Sequence, residues 1–422
     1  MKVLVLGINY APERVGVAVY TTGMAEALAA NGHEVQVIAG RPYYPGWRIM
    51  PGHSSWNFER RQENGVDVTR VPHYIPRKPT GLRRILHHFS FGITSLFPAL
   101  WRALSWRPEL VVTIAPALVA APVGRLAGRL SGAHNWLHMQ DFEVEAALAT
   151  GLIPRGHAAR LATWFELRML RSFDTVSSIS PHMCRRLIEK GLDAGQVVEF
   201  RNWADIEAVT PMDDPSPYRE EWGITTPHVA LYSGNIANKQ GLETVIEVAR
   251  RLEGRQDLTF VICGEGPSSR ELQRRAAGMR NVRFFDLQPR ERLGELLNLA
   301  TIHVLPQIAE AADLVLPSKL TNMLASGRPV VAMARNGTGL AREVEGAGLL
   351  VPPGDAEALA QALEQLMDNP ELHADLSVAA RHRAEERWSM KAILSSIEGH
   401  FTHVAGRSRA AGRSRTADGR AT

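Results

Sequence analysis

The sequence predicts an α/β protein with two doubly wound, Rossmann-like domains that face each other across a cleft. Short apolar runs alternate with amphipathic helical stretches along the 422 residues, and this alternation is typical of parallel sheets covered by helices on both faces. A proline-rich segment, 211–217, separates a first series of runs from a second. Each series therefore predicts its own sheet.

Nearly continuous apolar runs mark the predicted strands. The first series consists of residues 2–7, 35–40, 66–71, 110–115, 135–139, 175–179 and 197–201. The second series consists of residues 229–233, 258–263, 282–285, 302–305, 330–333 and 349–351. The first helix is the clearest one, because Tyr20, Met24 and Leu28 share one face before Asn31 and Gly32 end it.

The same patterns divide the chain into four predicted segments. Two Rossmann-like domains span residues 1–205 and 206–385, and a helix over 386–401 is long enough to pack back on their junction. Residues 402–422 contain small and polar residues and several arginines, which predicts a disordered basic tail.

Composition limits the classes of function. The formal charge of +4 is located in the tail, where residues 406–422 hold five arginines and one aspartate. The neutral remainder disfavours a nucleic-acid-binding protein. The two cysteines, Cys184 and Cys263, lack the spacing of a zinc site or a disulfide framework, and residues 2–7 are better explained as a buried strand than as a signal peptide. A cytoplasmic protein is therefore expected.

Two glycine loops follow neighbouring strands of the second series. In the first loop, Gly234 and Asn235 follow the strand, and Lys239 stands just before the next helix. A glycine lets the backbone approach a ligand closely, and the lysine offers a charge to a phosphate, although an exposed loop lysine explains it equally well. The second loop contains Gly264 and Gly266, which leave room for a base or ribose. Because it lacks the third glycine of the dinucleotide fingerprint, a dehydrogenase is disfavoured.

A third segment predicts an anion site at the start of a helix. Pro317 and Ser318 suit the first turn and the cap of a helix, and Lys319 adds a cation beside the free N–H groups. Asn322 lies one turn further along and can bond ribose hydroxyls, while Gly327 ends the helix. A diphosphate fits this arrangement.

The order of these three segments resembles the nucleotide-sugar domain of family-4 retaining glycosyltransferases of the GT-B fold. That family usually carries two glutamates eight residues apart in the helix-start motif. Here Asn322 occupies the position of the second glutamate and Leu314 that of the first. Ribose binding can survive through the amide of Asn322, whereas a carboxylate beside the transferred sugar is missing.

Residues 316–322 resemble a narrower subgroup that makes bacterial exopolysaccharide and O-antigen repeat units. Within it the chain is most similar to the WcaI group of colanic acid glycosyltransferases, and this resemblance extends over nearly the whole chain to about Phe401. The shared motifs include residues 9–13, 43–45, 138–143 and 201–205. The resemblance implies an N-terminal acceptor domain and a C-terminal nucleotide-sugar-binding domain. It also implies retaining transfer without a metal or other cofactor. The donor it favours is GDP-fucose, and the acceptor is a lipid-linked saccharide at the inner face of the cytoplasmic membrane.

Motifs and resemblance together identify the candidate site residues. The catalytic candidates are His138, Asp141 and Lys239. The donor-binding candidates are Gly16, Gly234, Asn235, Lys239, Gly264, Gly266, Leu287, Ser318, Lys319, Leu320 and Asn322. No D-x-D sequence occurs, and Asp141 and Glu143, the nearest pair, are better explained by a loop that caps a helix than by metal ligands.

Residues 85–106 are rich in apolar and aromatic side chains and are flanked by Arg83, Arg84 and Arg107. Pro98 and two histidines disfavour a membrane-spanning helix, so either an interfacial helix or a core helix of the first domain is expected. If the helix is interfacial, Phe91 and Leu96 are the residues whose charging would release the protein from membranes.

Two other classes of function remain open on this fold. The first is a nucleotide-sugar epimerase or a phosphorylase, for which no acidic and histidine set and no cofactor lysine stand out. The second is a non-catalytic nucleotide-sugar-binding protein, which the altered glutamate motif permits. Radiolabelled nucleotide sugars offered with a membrane lipid extract would discriminate among them.

Overall fold

The first half of the chain folds into an eight-stranded sheet. Its strands are β1 (Lys2–Gly7), β2 (Glu34–Gly40), β3 (Glu59–Glu63), β4 (Val66–Val71), β5 (Leu110–Ala115), β6 (His134–Met139), β7 (Thr175–Ser178) and β8 (Val197–Glu199). Their order is β3-β4-β2-β1-β5-β6-β7-β8, and all neighbours are parallel except β3 and β4. The computed structural model describes residues 1–13, 16–54, 56–78, 81–149, 156–204, 206–236, 240–307 and 318–418.

Among the described residues of the first half, six α-helices connect these strands. They are α1 (Val17–Ala30), α2 (Gly81–Ser105), α3 (Ala121–Ser131), α4 (Glu143–Ala149), α5 (His157–Leu170) and α6 (Pro181–Glu189). Every residue of β5 is buried, as expected for a central parallel strand that is covered on both faces. This double burial explains why the strands could be recognised as continuous apolar runs.

The second half repeats the plan with six parallel strands. Its elements are α7 (Tyr218–Glu221), β9 (His228–Ser233), α8 (Leu242–Arg251), β10 (Leu258–Cys263), α9 (Ser269–Arg275), β11 (Val282–Phe285), α10 (Leu293–Leu299), β12 (Ile302–Leu305), α11 (Ser318–Ala325), β13 (Val330–Met333), α12 (Gly339–Val344), β14 (Gly348–Val351), α13 (Ala356–Asp368) and α14 (Pro370–Trp388). The strand order is β11-β10-β9-β12-β13-β14. Two doubly wound α/β units confirm the predicted fold class.

The chain divides into two compact units, and the last helix belongs to both. One unit comprises Met1–Asn202 with Leu394–Thr422, and the other comprises Trp203–Ile393. Helix α15 (Met390–Asp418) begins in the second unit and continues into the first. There Glu398 accepts a hydrogen bond from Asn31 Nδ2 at 2.6 Å and lies 2.8 Å from His33 Nε2.

The helix extends beyond the end predicted from the sequence. A disordered tail was expected from residue 402, but α15 continues past this point, and Phe401 and Ala405 are 0% and 4% exposed. The ring of Phe401 packs edge-on against Trp136, with the ring centroids 4.8 Å apart. The predicted start of the tail is therefore wrong, because these buried contacts stabilise further turns of a segment rich in helix-forming alanine and arginine.

One strand was not predicted from the sequence. β3 has the sequence Glu-Arg-Arg-Gln-Glu and pairs antiparallel with β4 at the edge of the first sheet. An edge strand has one neighbour and is largely exposed, so it needs no apolar run, and its charges discourage pairing with another chain. Hydrophobic periodicity therefore carries no signal for it.

Arg381 on α14 hydrogen-bonds to two other backbone segments of the second unit. Its guanidinium donates to the carbonyl oxygens of Ile206, Val209 and Ala325 at 3.3, 2.9 and 2.8 Å. We expect Arg381→Met to lower the free energy of unfolding by about 2 kcal/mol, because three carbonyls lose a charged donor. Urea unfolding measures this loss. Arg274→Met removes an exposed helix pair instead and should change stability by less than about 0.5 kcal/mol; equal effects of the two variants would contradict this role.

Candidate active site

The two glycine loops of the second unit lie side by side at the carboxyl edge of its sheet. Gly234 N donates to Cys263 O at 2.8 Å, Ile236 N donates to Glu265 O at 2.8 Å, and Ser268 N donates back to Ile236 O at 3.2 Å. The carboxyl edge of a doubly wound sheet is where ligands bind. The loop after β9 and the loop after β10 thus form one backbone surface at the expected place.

Close packing of these loops explains their glycines. A Cβ on Gly264 would lie 1.9 Å from Gly234 O, and a Cβ on Gly266 would lie 2.1 Å from Ile236 O. Gly264 also has a φ of +147°, which L residues with side chains rarely adopt. The sequence predicted that these glycines make room for a base or ribose. The structure gives them a different immediate role, which is to let the two loops touch.

The third predicted segment meets the first loop through Lys319. Lys319 lies in the first turn of α11, and its Nζ donates to the hydroxyl of Tyr232 at 2.6 Å. The same Nζ lies 4.3 Å from the centroid of the Tyr232 ring. A Cβ on Gly234 would lie 2.5 Å from Lys319 Cε. The ammonium of Lys319 is therefore held directly against the backbone of the first glycine loop.

The remaining donor-binding candidates differ in accessibility. Leu287 is 60% exposed and Asn322 is partly buried, so the side chains of both can reach a ligand. Leu320 lies on the inner face of α11, where its side chain is 0% exposed and packs in the core of the second unit. The side chain of Leu320 is therefore closed to a donor, which contradicts the prediction that Leu320 binds the donor through this side chain. Ser318 begins α11, and Lys239 lies outside the described residues.

Two loops of the first unit are joined by a buried carboxylate that the sequence did not single out. Glu13 Oε1 accepts from the backbone N–H groups of Tyr43 and Tyr44 at 2.7 and 2.8 Å, and its Oε2 accepts from Asn9 Nδ2 at 2.8 Å. Burial raises the pKa of Glu13, and these hydrogen bonds oppose the rise. Nearby, Gly16 precedes α1 with a φ of +64°. The signal was an acidic residue in the loop between the first strand and the first helix.

His138 does not face a ligand. It is 2% exposed, its Nδ1 lies 2.8 Å from Ser177 Oγ, and the amide of Gln140 donates to its Nε2 at 3.0 Å. Burial lowers the pKa of His138 to about 3, so the ring is neutral. The expectation that the His138 side chain is open to a substrate is wrong, because its position in β6 directs the ring into a layer covered by the protein. Its catalytic role stays a prediction. Gln140 in turn shares two amide hydrogen bonds with Asn202, of 3.0 and 2.8 Å.

His138 makes the stability of the first unit dependent on pH. Its folded-state pKa of about 3 lies below the unfolded value of 6.5, so its stabilising contribution is complete above pH 6.5 and is lost as the pH falls towards 3. Between these values we expect His138→Gln to reduce the pH slope of the unfolding free energy by about 1.4 kcal/mol per pH unit. Urea unfolding between pH 7.5 and 5 measures the slopes, and parallel slopes would contradict a buried neutral ring.

The next acidic residues after β6 occupy different surroundings. Asp141 is exposed at the end of the strand. Glu143 is partly buried and accepts hydrogen bonds from the N–H groups of Ala117 and Leu118, and burial raises its pKa to about 7. His88 Nδ1 lies 3.8 Å from its Oε2. Glu143 therefore joins the loop after β5 to the start of α4. Within the described residues, no group of three or more histidine, cysteine or acidic side chains is placed to hold a metal ion.

Helix α2 presents both a core face and an exposed apolar face. The exposed face consists of side chains that are 38% to 73% accessible, namely Leu82, Ile85, Leu86, Phe89, Ile93, Leu96, Phe97, Trp101 and Leu104. Phe91 is 1% exposed and packs on the opposite side. The choice of Phe91 as a membrane-facing residue is therefore wrong, whereas Leu96 does lie on the exposed face. In the described parts of the chain, no helix combines the length and the apolar character needed to cross a bilayer.

Two domain families match the chain in succession. The Glycosyl transferase 4-like domain matches residues 15–203, and the Glycosyl transferases group 1 domain matches residues 216–383. The colanic acid biosynthesis glycosyl transferase WcaI of Escherichia coli strain K12 is 40% identical over 410 residues, which cover 94% of this chain and 100% of that protein. The 2-deoxystreptamine N-acetyl-D-glucosaminyltransferase of Streptomyces fradiae is 25% identical over 417 residues, covering 94% and 93% of the two chains.

Solved structures share the fold over nearly the whole chain. Sucrose-phosphate synthase from Thermosynechococcus elongatus has a TM-score of 0.63 at 18% identity, covering 96% of this chain and 100% of that chain. Anabaena HepE in complex with UDP has a TM-score of 0.61 at 15% identity with the same coverage. The solved structures show that the fold is shared, and the sequence relatives show the family. The chain belongs to the GT-B glycosyltransferases that carry a glycosyl transferase 4-like domain followed by a group 1 domain, which confirms the resemblance seen in the motifs.

Proposed function

We propose that the enzyme binds the diphosphate of a nucleotide-sugar donor at the joined glycine loops of the second unit and transfers the sugar to a saccharide acceptor. The observation that carries this proposal is the position of Lys319. Its ammonium lies over the Gly234 backbone, at the carboxyl edge of a parallel sheet and in the first turn of α11. A cation and the positive end of a helix dipole in one place attract a diphosphate.

This arrangement supports transfer without a metal ion. When the bond between the anomeric carbon and the β-phosphate oxygen breaks, negative charge accumulates on the leaving diphosphate. Lys319 and the positive end of the α11 dipole stabilise that charge without rearranging, which is the largest contribution that such sites make to rate. Lys239, which lies outside the described residues, remains a second cationic candidate. Retention of configuration is proposed from the resemblance to family-4 enzymes.

The donor and acceptor are proposed from the relatives. We propose that the product is part of an extracellular polysaccharide, because WcaI, named for colanic acid biosynthesis, is 40% identical over 94% of this chain. We propose GDP-fucose as the donor and a lipid-linked saccharide as the acceptor. Leu287 and Asn322 have accessible side chains at this edge, and we propose that they contact the base and the ribose.

We further propose that the enzyme works as a peripheral protein on the inner face of the cytoplasmic membrane, and that α2 makes the contact. Nine apolar side chains on one face of a helix form a patch of the kind that marks a protein or membrane contact. Arg83 and Arg84 are exposed at the start of the same helix and complement anionic lipid head groups. A lipid-linked acceptor would then be presented where the enzyme binds.

A direct assay tests the proposal. Purified enzyme is incubated with radiolabelled GDP-fucose, GDP-mannose, UDP-glucose, UDP-galactose or UDP-glucuronate, with and without lipid-linked saccharides extracted from bacterial membranes. We expect one donor to give a labelled lipid product that survives addition of EDTA. An epimerase would change the nucleotide sugar without any acceptor. If no donor yields transfer, the proposed donor and acceptor classes are overturned.

A further inference from the structure

Tyr232 connects the two segments that would hold the donor diphosphate. It lies near the end of β9 and is 1% exposed, yet its hydroxyl reaches the carboxyl edge of the sheet. There the hydroxyl accepts a hydrogen bond from Lys319 Nζ at 2.6 Å and donates one to the carbonyl oxygen of Asn235. One phenol therefore contacts both the glycine loop and α11. Tyr232 and Lys319 are 87 residues apart in the sequence.

The two hydrogen bonds of this phenol fix its direction. Burial raises the pKa of Tyr232, so the phenol keeps its proton. That proton points to Asn235 O, and the oxygen lone pairs point to the ammonium. The Tyr232 ring, 4.3 Å from Nζ, adds a cation–π contact that favours the same place.

The neighbouring glycine leaves the space that the lysine occupies. A Cβ on Gly234 would lie 2.5 Å from Lys319 Cε and 2.7 Å from Nζ. A lysine side chain has four rotatable bonds, and the rotamer entropy of these bonds opposes holding it in one place. Tyr232 and Gly234 thus order Lys319 before any ligand arrives, and such preorganisation strengthens binding.

We propose that Tyr232 is a positioning residue that holds the Lys319 ammonium over the Gly234 loop for the phosphates of the donor. This inference rests on the proposed function of the site. Tyr232 acts through Lys319 and contacts no substrate atom itself. Its loss should therefore weaken the recognition of phosphates selectively and leave the recognition of the nucleoside unchanged.

Binding measurements on Tyr232→Phe test this selectivity. The probes are UDP and GDP, measured by isothermal titration calorimetry, together with uridine and guanosine, measured by ligand-observed NMR. For the diphosphate that the wild-type enzyme binds, we expect Kd to rise about tenfold in Tyr232→Phe, the effect of one charge-assisted hydrogen bond, while Kd for the matching nucleoside changes less than twofold. The matched control is Thr259→Val, which removes another buried hydroxyl of the same unit. The hydroxyl of Thr259 accepts a hydrogen bond from the hydroxyl of Thr226 at 2.8 Å. This variant should change the Kd of neither the diphosphate nor the nucleoside.

A double-mutant cycle separates positioning from a structural role. If Tyr232 acts through Lys319, adding Tyr232→Phe to Lys319→Ala causes no further rise in the Kd of the diphosphate. An equal loss for nucleoside and diphosphate, or a further loss in the Lys319→Ala background, would overturn the inference in favour of a structural role. If Lys319→Ala weakens binding and Tyr232→Phe does not, the inference fails alone. If the wild-type enzyme binds neither diphosphate, the proposed donor site fails and the inference fails with it.

Discussion

Replacing Lys319 by alanine is expected to lower kcat/KM for sugar transfer by about 100- to 1,000-fold, the range seen when one preorganised charge-stabilising donor is removed from an active site. The physical reason is the charge that develops on the leaving diphosphate, which Lys319 is placed to meet from the first turn of α11. Initial rates with the identified donor, measured by release of the nucleoside diphosphate, give this ratio.

The control for this variant is another lysine of the same unit. Lys391 is exposed on α15, so Lys391→Ala should leave kcat/KM within about twofold, since isolated exposed charges have small effects. Lys319→Arg should recover part of the activity, because it keeps the charge but brings a larger, planar group to the space beside Gly234. A loss of less than threefold in Lys319→Ala would show that the diphosphate is neutralised elsewhere.

The two sheets could be predicted because their central strands are buried on both faces. β5 and β10 are buried along their whole lengths, so hydrophobicity alone marks them, and the elements with this property appear within one or two residues of their predicted bounds. β3 has no such signal, since all five of its residues are polar and it lies at an edge. A strand without a hydrophobic pattern, such as β3, therefore cannot be predicted by this reasoning.

The site could be predicted as three loops but not as a set of contacts. Motif order placed Gly234 and Gly264 at strand ends and Lys319 at the start of a helix, and a doubly wound sheet brings strand ends and helix starts to one edge. The sequence does not reveal that Lys319 bonds Tyr232, because this contact is tertiary. It also does not reveal which face of β6 carries His138, since a strand covered on both sides gives no alternation of polar and apolar residues to read.

Charging the exposed face of α2 is expected to release the enzyme from membranes. Phe97 and Trp101 are 73% and 62% exposed, so the double variant Phe97→Glu with Trp101→Glu should fold normally. If both rings enter the interfacial region, their loss removes about 3 kcal/mol of apolar burial, which lowers the partition coefficient about 100-fold. Cosedimentation with vesicles of phosphatidylglycerol and phosphatidylethanolamine measures it, and the thermal midpoint shows whether the fold is intact.

The controls distinguish a membrane face from a general effect of added charge. Val378→Glu adds the same charge to α14 at a side chain that is 72% exposed, and it should leave partition unchanged. Phe91→Glu should instead destabilise the first unit, because that ring is 1% exposed and an unpaired carboxylate in a core is costly. If the double variant on α2 partitions as the wild-type enzyme does, the apolar face serves another contact, and the acceptor must reach the enzyme without help from this helix.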